Sequence, residues 1–556
     1  MCGIMASVNS VLKNEQLLMH RGPDQVYQSR FKNAQIDFYR LSVTGGPEGE
    51  MPVVSKSGRW NVFLNGEIYN YKKLIERYSL PFSDSDTRTI ANGIEKNGLE
   101  FIKQLRGMFA CVIYDGMQDR TYVFRDVLGE KPLYYAREQG GVFFASEFSA
   151  LHRSLYKDIK VNPQAVACFF RFGYIEEPLS LDSRIHHVPK GVLIEVSADN
   201  SLLEIFDFHE SIVNEVRDLS LNSLLEVITS EVLSCQIDST VFLSSGVDSK
   251  YILKRKRENA GSVIALSYKN RNLRLDESRK AKLFANLRGI KHVSVLVNQE
   301  NVVDYMEDLA EEIDSPIADP SSLAYALLFR KTHELGTKIA FTGHGVDELF
   351  WGYEWFNELV AEFEMGKSRG RSLFWDTPAA SYELMKLVEP YEPRNRFSSR
   401  DPYLGDSNKW NRARAEIVHS YLNGNGFAQL DRLGMRESVE PRVPFSDSRL
   451  YFWSQINGKS GADFSNKREF FTAIRNPSYN LIGRKYLKKG FRTQFLESLI
   501  NSNEEKIVKE ANRVFVLYNL SLKQTLNRSL LNPYDLYKLF ILTNFLKGLM
   551  RDNHER

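Results

Sequence analysis

The rhythm of apolar and polar positions changes once along this chain of 556 residues. Over roughly the first 200 residues the apolar runs are short, alternating or continuous, and Gly, Asp or Asn punctuates them. Examples are WNVFLNGEIYNY, GMFACVIYDG, RTYVFRDV, KPLYYARE, GGVFFASEF and GVLIEVSA. This pattern predicts a largely antiparallel sheet structure with a few helices, such as DTRTIANGIEKNG. After SLLEIFDFHES the period lengthens. LNSLLEVITSEVLSC reads as a helix and STVFLSS as a strand, followed by a glycine turn and a helix from Lys250. Then come SVIALSY (strand), DESRKAKLFANLRG (helix), KHVSVLV (strand), another helix, and TKIAFTG (strand). Strands alternating with helices predict a parallel sheet with helices on both faces. From about Tyr353 the chain reads as mostly helical. Two domains are expected, residues 1–205 and 206–556, combining α+β and α/β classes.

Composition narrows the class without changing that division. Apolar residues make up 43% and charged residues 26%, as in ordinary globular proteins. A net charge of +3 spread along the chain implies no nucleic-acid partner. No apolar run reaches the ~18 residues that a membrane span needs. MCGIMASVNSVLKNEQ lacks the basic start and apolar stretch of a signal peptide, so a cytoplasmic location is expected. The four cysteines, Cys2, Cys111, Cys168 and Cys235, are scattered without CxxC spacing, which argues against a zinc site or a disulfide framework.

Candidate chemistry begins at Cys2. Removal of the initiator Met leaves its thiol beside its own α-amine, whose reference pKa near ~8 lets it take the thiol proton at neutral pH. Polar clusters follow between the apolar runs: HRGPD (20–24), RLSV (40–43), NGEIYNY (65–71) and SDSDT (83–87). Arg40 can clamp a carboxylate through its two-pronged guanidinium. Asn65 and the Gly66 amide can form an oxyanion hole, since glycine lets the backbone approach a reacting carbonyl. Glu67 and Asp86 can read a substrate ammonium group. Singly each is a common solvated residue; together they specify amide hydrolysis on an amino-acid side chain.

MCGI, HRGPD, RLSV, NGEIYNY, SDT, GMFA, RDVLGEKPLYY and ASE, in this order, resemble the glutaminase domain of the asparagine synthetase family, a class II glutamine amidotransferase. The resemblance implies an N-terminal-nucleophile β-sandwich flanked by helices. It also implies that Cys2 attacks the glutamine amide and releases ammonia, that Asn65 and Gly66 form the oxyanion hole, and that Arg40, Glu67 and Asp86 contact glutamine. The chain departs after RLSV, where TGGPEGEMP replaces the usual Asp and Gly-x-Gln-Pro.

A second constellation lies in VFLSSGVDSK (241–250), where a strand, a turn of small residues and a helix start present backbone N–H groups to an anion. It lacks the GxxxxGK[ST] of a Walker A loop, and a plain strand–helix turn is the bland alternative. The stretch resembles the SGGxDS pyrophosphate loop of ATP-pyrophosphatases, the synthetase half of the same family. Ser244, Gly246, Asp248 and Ser249 match, while Ser245 replaces a glycine, a mild change only if its φ is negative. The acidic pair at 276–277, DSPIADPS (314–321), RESVEPRVPFSD (436–447), SNKREFF and KKGF (488–491) also match. The resemblance implies ATP and Mg²⁺: Leu243, Leu266, Thr342 and Gly343 lining adenosine, Asp248 and Asp347 holding the ion, and Lys467 neutralising phosphate charge.

TGHGVDELFWGY (342–353) keeps the family frame SGEGSDE-x-F-GGY, but the acid has become His344, a serine Val346 and a glycine Trp351. In the family that acid lies beside the adenylate and helps ammonia attack. Three readings stay open: His344 as a substituted general base, as a mark of a different acceptor, or as a neutral replacement. The expected activity is ATP-dependent amidation of a carboxylate, aspartate or another acid such as a glycan uronate or a natural-product intermediate, with glutamine as ammonia donor. A β-lactam-synthetase-like ring former disagrees with the intact Cys2 and glutamine-pocket residues. A non-catalytic relative disagrees with the retained Asp248, Asp347 and Lys467. The acceptor acid and the oligomeric state, a homodimer included, stay open at this level.

Overall fold

Continuous apolar runs in the first part of the chain become strands buried on both faces. The computed structural model describes the chain apart from residues 1, 13–15, 139, 236, 259–260, 270–275, 297–301, 354–400, 406–407, 459–467, 475–502, 518–525, 527–530, 532 and 555–556. Two six-stranded antiparallel sheets form the N-terminal part. The first runs Ile185–His187, Tyr134–Glu138, Gly141–Ala145, Cys2–Val8, Ala34–Arg40, Gln25–Arg30. The second runs Leu202–Asp207, Val192–Val196, Arg120–Arg125, Gly107–Asp115, Trp60–Ile68, Val53–Val54. Ile4, Ala6 and Val8 share a core with Val62 and Leu64 across the two sheets, while Met5 packs with Phe148 and Leu151 of the helix Phe148–Leu155. The strand that starts at Cys2 is therefore held from both sides.

The expected βα alternation yields a five-stranded parallel sheet, ordered Lys291–Leu296, Val263–Lys269, Ser239–Phe242, Ile339–Phe341, Glu440–Arg442. The last strand is a short extended segment within the region that reads as mostly helical. It is three residues long with Pro441 at its centre, and it occupies the edge of the sheet, where a missing N–H costs no ladder bond. The helix expected from Lys250 starts at Val247, so Asp248 lies in its first turn.

The end of the chain, for which the sequence offered no motif, joins the two parts. Leu536, Leu539, Phe540, Phe545 and Leu549 of the helix Pro533–His554 enter the core that contains Phe148, Phe170 and Leu309. Lys538 Nζ donates to the Phe170 carbonyl at 2.7 Å. A Cβ on Gly548 would lie 2.1 Å from the Glu311 carbonyl oxygen, so glycine permits this close helix crossing. Among the described residues, no helix is long and apolar enough to cross a membrane.

Candidate active sites

Cys2 is 7% exposed and lies opposite Arg40 in the strand pair. Its backbone nitrogen donates to Asn65 Oδ1 at 2.9 Å. Asn65 is fully buried, and its Nδ2 has no hydrogen-bond partner among the described residues. A buried amide N–H₂ left unsatisfied is costly, so this donor is available to an oxygen of a ligand or of water. Gly66 follows at φ +136°, and a Cβ there would lie 2.0 Å from the Met108 carbonyl oxygen. Asn65, Gly66 and Glu67 sit inside the continuous strand Trp60–Ile68 rather than in a turn between strands. Asp86 opens the helix Asp86–Asn97 and accepts the Ile68 N–H at 2.9 Å, so it stands at the end of that same strand. Burial pushes the Cys2 thiol up, against the pull of the Leu41 N–H and the Arg40 charge.

Arg40 is engaged by the loop that departs from the family pattern. Its Nη2 donates to the Gly46 carbonyl at 2.6 Å and its Nη1 to Gln25 Oε1 at 2.8 Å. Any Cβ on Gly49 would stand 2.7 Å from that Nη2. TGGPEGEMP thus folds directly over the guanidinium.

Glu67 is 4% exposed, and its Oε1 lies 2.9 Å from Arg442 Nη2. Burial pushes its carboxyl up to about 7; Arg442 opposes this, while Asp86 and Glu440 add to it. An ammonium group binds the ionised carboxylate, and an ordinary glutamate stays ionised down to roughly pH 4.3. Here the ionised fraction falls as pH drops through about 7. Glutamine affinity of a Cys2→Ala variant is expected to weaken about tenfold between pH 8 and pH 6, one pH unit below that midpoint. Calorimetric titration that finds a flat affinity over this window contradicts Glu67 as the ammonium contact.

In the second part, the strand Ser239–Phe242 delivers Leu243, whose N–H donates to the Leu266 carbonyl at 2.7 Å. Ser244 N–H donates to Ser249 Oγ at 3.1 Å, Gly246 N–H to Ser244 Oγ at 3.0 Å, and Ser245 N–H to Glu277 Oε2 at 3.1 Å. Neither Ser245 nor Gly246 has a positive φ, so serine replaces the family glycine without backbone strain. Gly343 packs onto this turn: its Cβ would stand 3.3 Å from Asp248 Cβ. The loop at 342–345 therefore brings the helix Val346–Leu349, with Asp347, towards Asp248. No group of three or more His, Cys, Asp or Glu side chains forms a metal site among the described residues. Two hard carboxylates suit Mg²⁺, which takes its other ligands from phosphate oxygens and water.

His344 is held at both ring nitrogens. Nδ1 is 3.2 Å from Thr342 Oγ1, and Nε2 is 3.3 Å from the Tyr325 hydroxyl. Thr342 N–H donates to the Arg442 carbonyl at 3.1 Å. Gly345 adopts φ +101°, with its Cβ position 2.3 Å from the Phe445 carbonyl oxygen, so only glycine fits there. A ten-residue π-helix, Val418–Phe427, passes nearby, and a Cβ on Gly426 would lie 4.0 Å from the His344 ring. Such segments are rare and gather at functional sites.

Two family models match this chain: a "Glutamine amidotransferase domain" over residues 1–206 and "Asparagine synthase" over residues 221–455. The chain is 27% identical to "Asparagine synthetase [glutamine-hydrolyzing] 1" of Bacillus subtilis, over 78% of this chain and 76% of that protein. It belongs to the glutamine-hydrolysing asparagine synthetase family. "Asparagine synthetase [glutamine-hydrolyzing] 2" of Arabidopsis thaliana is 26% identical over 86% of this chain and 84% of that protein. A "Putative asparagine synthetase [glutamine-hydrolyzing]" of Mycobacterium tuberculosis H37Rv is 24% identical, with 81% of each covered.

Against the asparagine synthetase frame, the structure gathers Cys2, Asn65, Gly66, Glu67 and Asp86 in one region, and Leu243, Ser244, Gly246, Asp248, Ser249, Leu266, Thr342, Gly343 and Asp347 in another. Lys467 and the stretch at 488–491 lie outside the described residues. Trp351, which stands where the family has glycine, adopts φ +58°, a conformation a side chain rarely takes. It is held there by Trp410, edge-on at 5.2 Å, and by Arg414, 5.4 Å over its ring. Sequence reasoning missed Arg21, Tyr325, Asp431, Glu440 and Arg442. The RESVEPRVPFSD match flagged the segment that holds the last two without assigning them a part.

Proposed function

We propose that this asparagine synthetase relative hydrolyses glutamine at Cys2 and uses the ammonia to amidate a carboxylate activated by ATP. The observation that carries the reading is Asn65, with Oδ1 on the Cys2 backbone nitrogen and a buried Nδ2 left for an external oxygen. Cys2 attacks the glutamine side-chain carbonyl, and the charge that develops on its oxygen falls to Asn65 Nδ2 and the Gly66 N–H. Glu67 and Asp86 hold the glutamine ammonium group. With the initiator Met removed, the Cys2 amine takes the thiol proton and passes it to the departing ammonia, and water then hydrolyses the Cys2 thioester to release glutamate and restore the thiol.

In the second domain, the turn at 244–249 receives the phosphates at the start of the helix Val247–Glu258. Asp248 and Asp347 would hold Mg²⁺, which supplies positive charge to the pyrophosphate as it leaves. Ammonia then displaces AMP from the acyl-adenylate, giving an amide, AMP, pyrophosphate and glutamate. The acceptor is a carboxylate, aspartate or another acid, and the change to His344 beside Thr342 and Tyr325 is the feature that bears on which. A two-product assay tests the reading: glutamate and pyrophosphate are measured with ATP, Mg²⁺ and glutamine across a panel of acids. Pyrophosphate that rises with one acid identifies the acceptor. Glutamate without acid-dependent pyrophosphate across the panel counts against a synthetase.

A further inference from the structure

We propose that Arg442 is a positioning residue that links glutamine binding in the first domain to nucleotide binding in the second. This rests on the reading of Glu67 as the contact for the glutamine ammonium group. Arg442 belongs to both sites at once. Its backbone lies on the edge strand Glu440–Arg442, in register with Phe341, and its carbonyl accepts the N–H of Thr342, the residue that opens the His344 loop. Its side chain leaves that sheet and enters the glutamine pocket, where it is 2% exposed. There the guanidinium faces two carboxylates and a ring. Nε donates to Glu440 Oε1 at 2.5 Å, Nη2 stands 2.9 Å from Glu67 Oε1, and the Tyr69 ring centroid is 5.9 Å away.

The contact with Glu67 is short but poorly aligned. Nη2 makes no hydrogen bond of acceptable geometry despite its distance from that carboxylate, so charge attraction rather than a directed bond holds it. The Glu440 contact, by contrast, is a directed bond. A glutamine ammonium group arriving at Glu67 brings a second cation to a carboxylate already shared. Two cations on one buried carboxylate repel strongly at low effective dielectric. Arg442 keeps its directed bond to Glu440, on its own strand, while its Nη2 swings away from Glu67. That strand holds the Thr342 N–H, so the swing tightens the loop that carries Gly343, His344 and Asp347.

The rest of the domain contact is stiff, which directs the change to this point. Arg21, fully buried, donates from Nε to the Cys2 carbonyl at 3.2 Å and from Nη1 to Asp431 Oδ2 at 2.9 Å. Asn423 Nδ2 donates to the Leu128 carbonyl at 2.8 Å, and Asp314 accepts the Ser149 N–H at 2.7 Å. Arg21 also bonds a carboxylate of each part, Glu147 and Asp431; Arg442 differs in that one of its two carboxylates is the ammonium contact and its pairing with that carboxylate is undirected. Because coupling between two binding sites is reciprocal, nucleotide tightens glutamine by the factor by which glutamine tightens nucleotide, typically 5- to 150-fold.

The test uses the full chain with α,β-methylene-ATP and Mg²⁺, a nucleotide that cannot release pyrophosphate. In the unsubstituted enzyme the KM for glutamine, read from glutamate release, is expected to fall about fivefold or more when the nucleotide is saturating. In Cys2→Ala, which binds glutamine without consuming it, saturating glutamine lowers the nucleotide Kd by the factor by which saturating nucleotide lowers the glutamine Kd of that variant. Arg442→Met changes the KM for glutamine itself, since the residue faces Glu67, and brings the ratio of KM without and with nucleotide to about one. Arg442→Lys keeps a buried cation, and with it the fold, but lacks the fork that reaches both carboxylates, so it retains less than half of the ratio. An unsubstituted KM that ignores the nucleotide, or Arg442 variants that keep the full ratio, overturns the proposal. Absence of any glutamate release from the unsubstituted enzyme instead overturns the glutaminase reading on which it rests.

Discussion

Replacing Cys2 with Ala is expected to abolish glutamate release, by at least about 10³-fold, while amide formation from added ammonia continues. Alanine keeps the backbone nitrogen that donates to Asn65 and a side chain that fits a position only 7% exposed, so the strand and the pocket stay in place. What disappears is the sulfur. No other described cysteine can replace it: Cys111 and Cys168 are buried on other elements, and Cys235 lies in the second part of the chain. The second domain takes its chemistry from residues after 240 and needs only ammonia, so a free supply bypasses the loss. Asn65→Ala provides a graded companion. Removing one oxyanion donor costs about 10²–10³ in kcat. Asn65 also holds the Cys2 backbone nitrogen, which places this variant at the upper end of that range. Glutamate release is followed directly, with ammonia-supported pyrophosphate formation as the control for folding. Retention of glutamate release within tenfold in Cys2→Ala would falsify the nucleophile.

The two sites differ in how much of them could be read from the chain. Asn65, Gly66 and Glu67 were legible as chemistry because residue types act locally: an amide, a glycine and an acid in a row need no partner to be recognised. Their setting was legible in part, since they fall inside the run WNVFLNGEIYNY while also forming a polar cluster. In the structure, register with the strand Gly107–Asp115 keeps them extended, and Gly66 is glycine because the Met108 carbonyl leaves no room for a Cβ. The turn at 244–249 was legible down to the condition set on Ser245, and its φ meets that condition. The strand Glu440–Arg442 was not legible. Three residues centred on proline carry no period, and only pairing with Ile339–Phe341 makes them a strand. Arg442 was missed for the same reason: what singles it out is a carboxylate from the other domain, and distance along the chain hides that meeting. Arg40 shows the reverse limit. TGGPEGEMP stands out along the chain as a departure from the family pattern, but only the fold places the Gly46 carbonyl on the guanidinium.

His344→Ala is expected to leave glutamate release and pyrophosphate exchange intact while amide formation slows about a hundredfold, the lower end of what a positioned general base contributes. Ammonia that attacks an acyl-adenylate must lose a proton as the carbon–nitrogen bond forms, and a neutral imidazole is a base that can accept one. The ring is positioned for such a task. Thr342 Oγ1 at 3.2 Å and the Tyr325 hydroxyl at 3.3 Å hold its two nitrogens, and both hydroxyls can donate or accept, so either tautomer is supported. Gly343 against Asp248 and Gly345 beneath Phe445 fix the loop on either side. Loss of the ring leaves these glycine contacts, and with them the nucleotide turn, undisturbed, which is why adenylation should survive. His344→Glu restores the acid of the family frame and separates the two meanings of the substitution. If His344 serves as the base, this variant regains most of the rate, and the lower limb of its pH profile moves towards the carboxylate range near ~4.3. If the histidine instead selects the acceptor, His344→Glu changes which acid drives pyrophosphate release and leaves the pH limb where it was. Unchanged amide formation in His344→Ala rules out a base role.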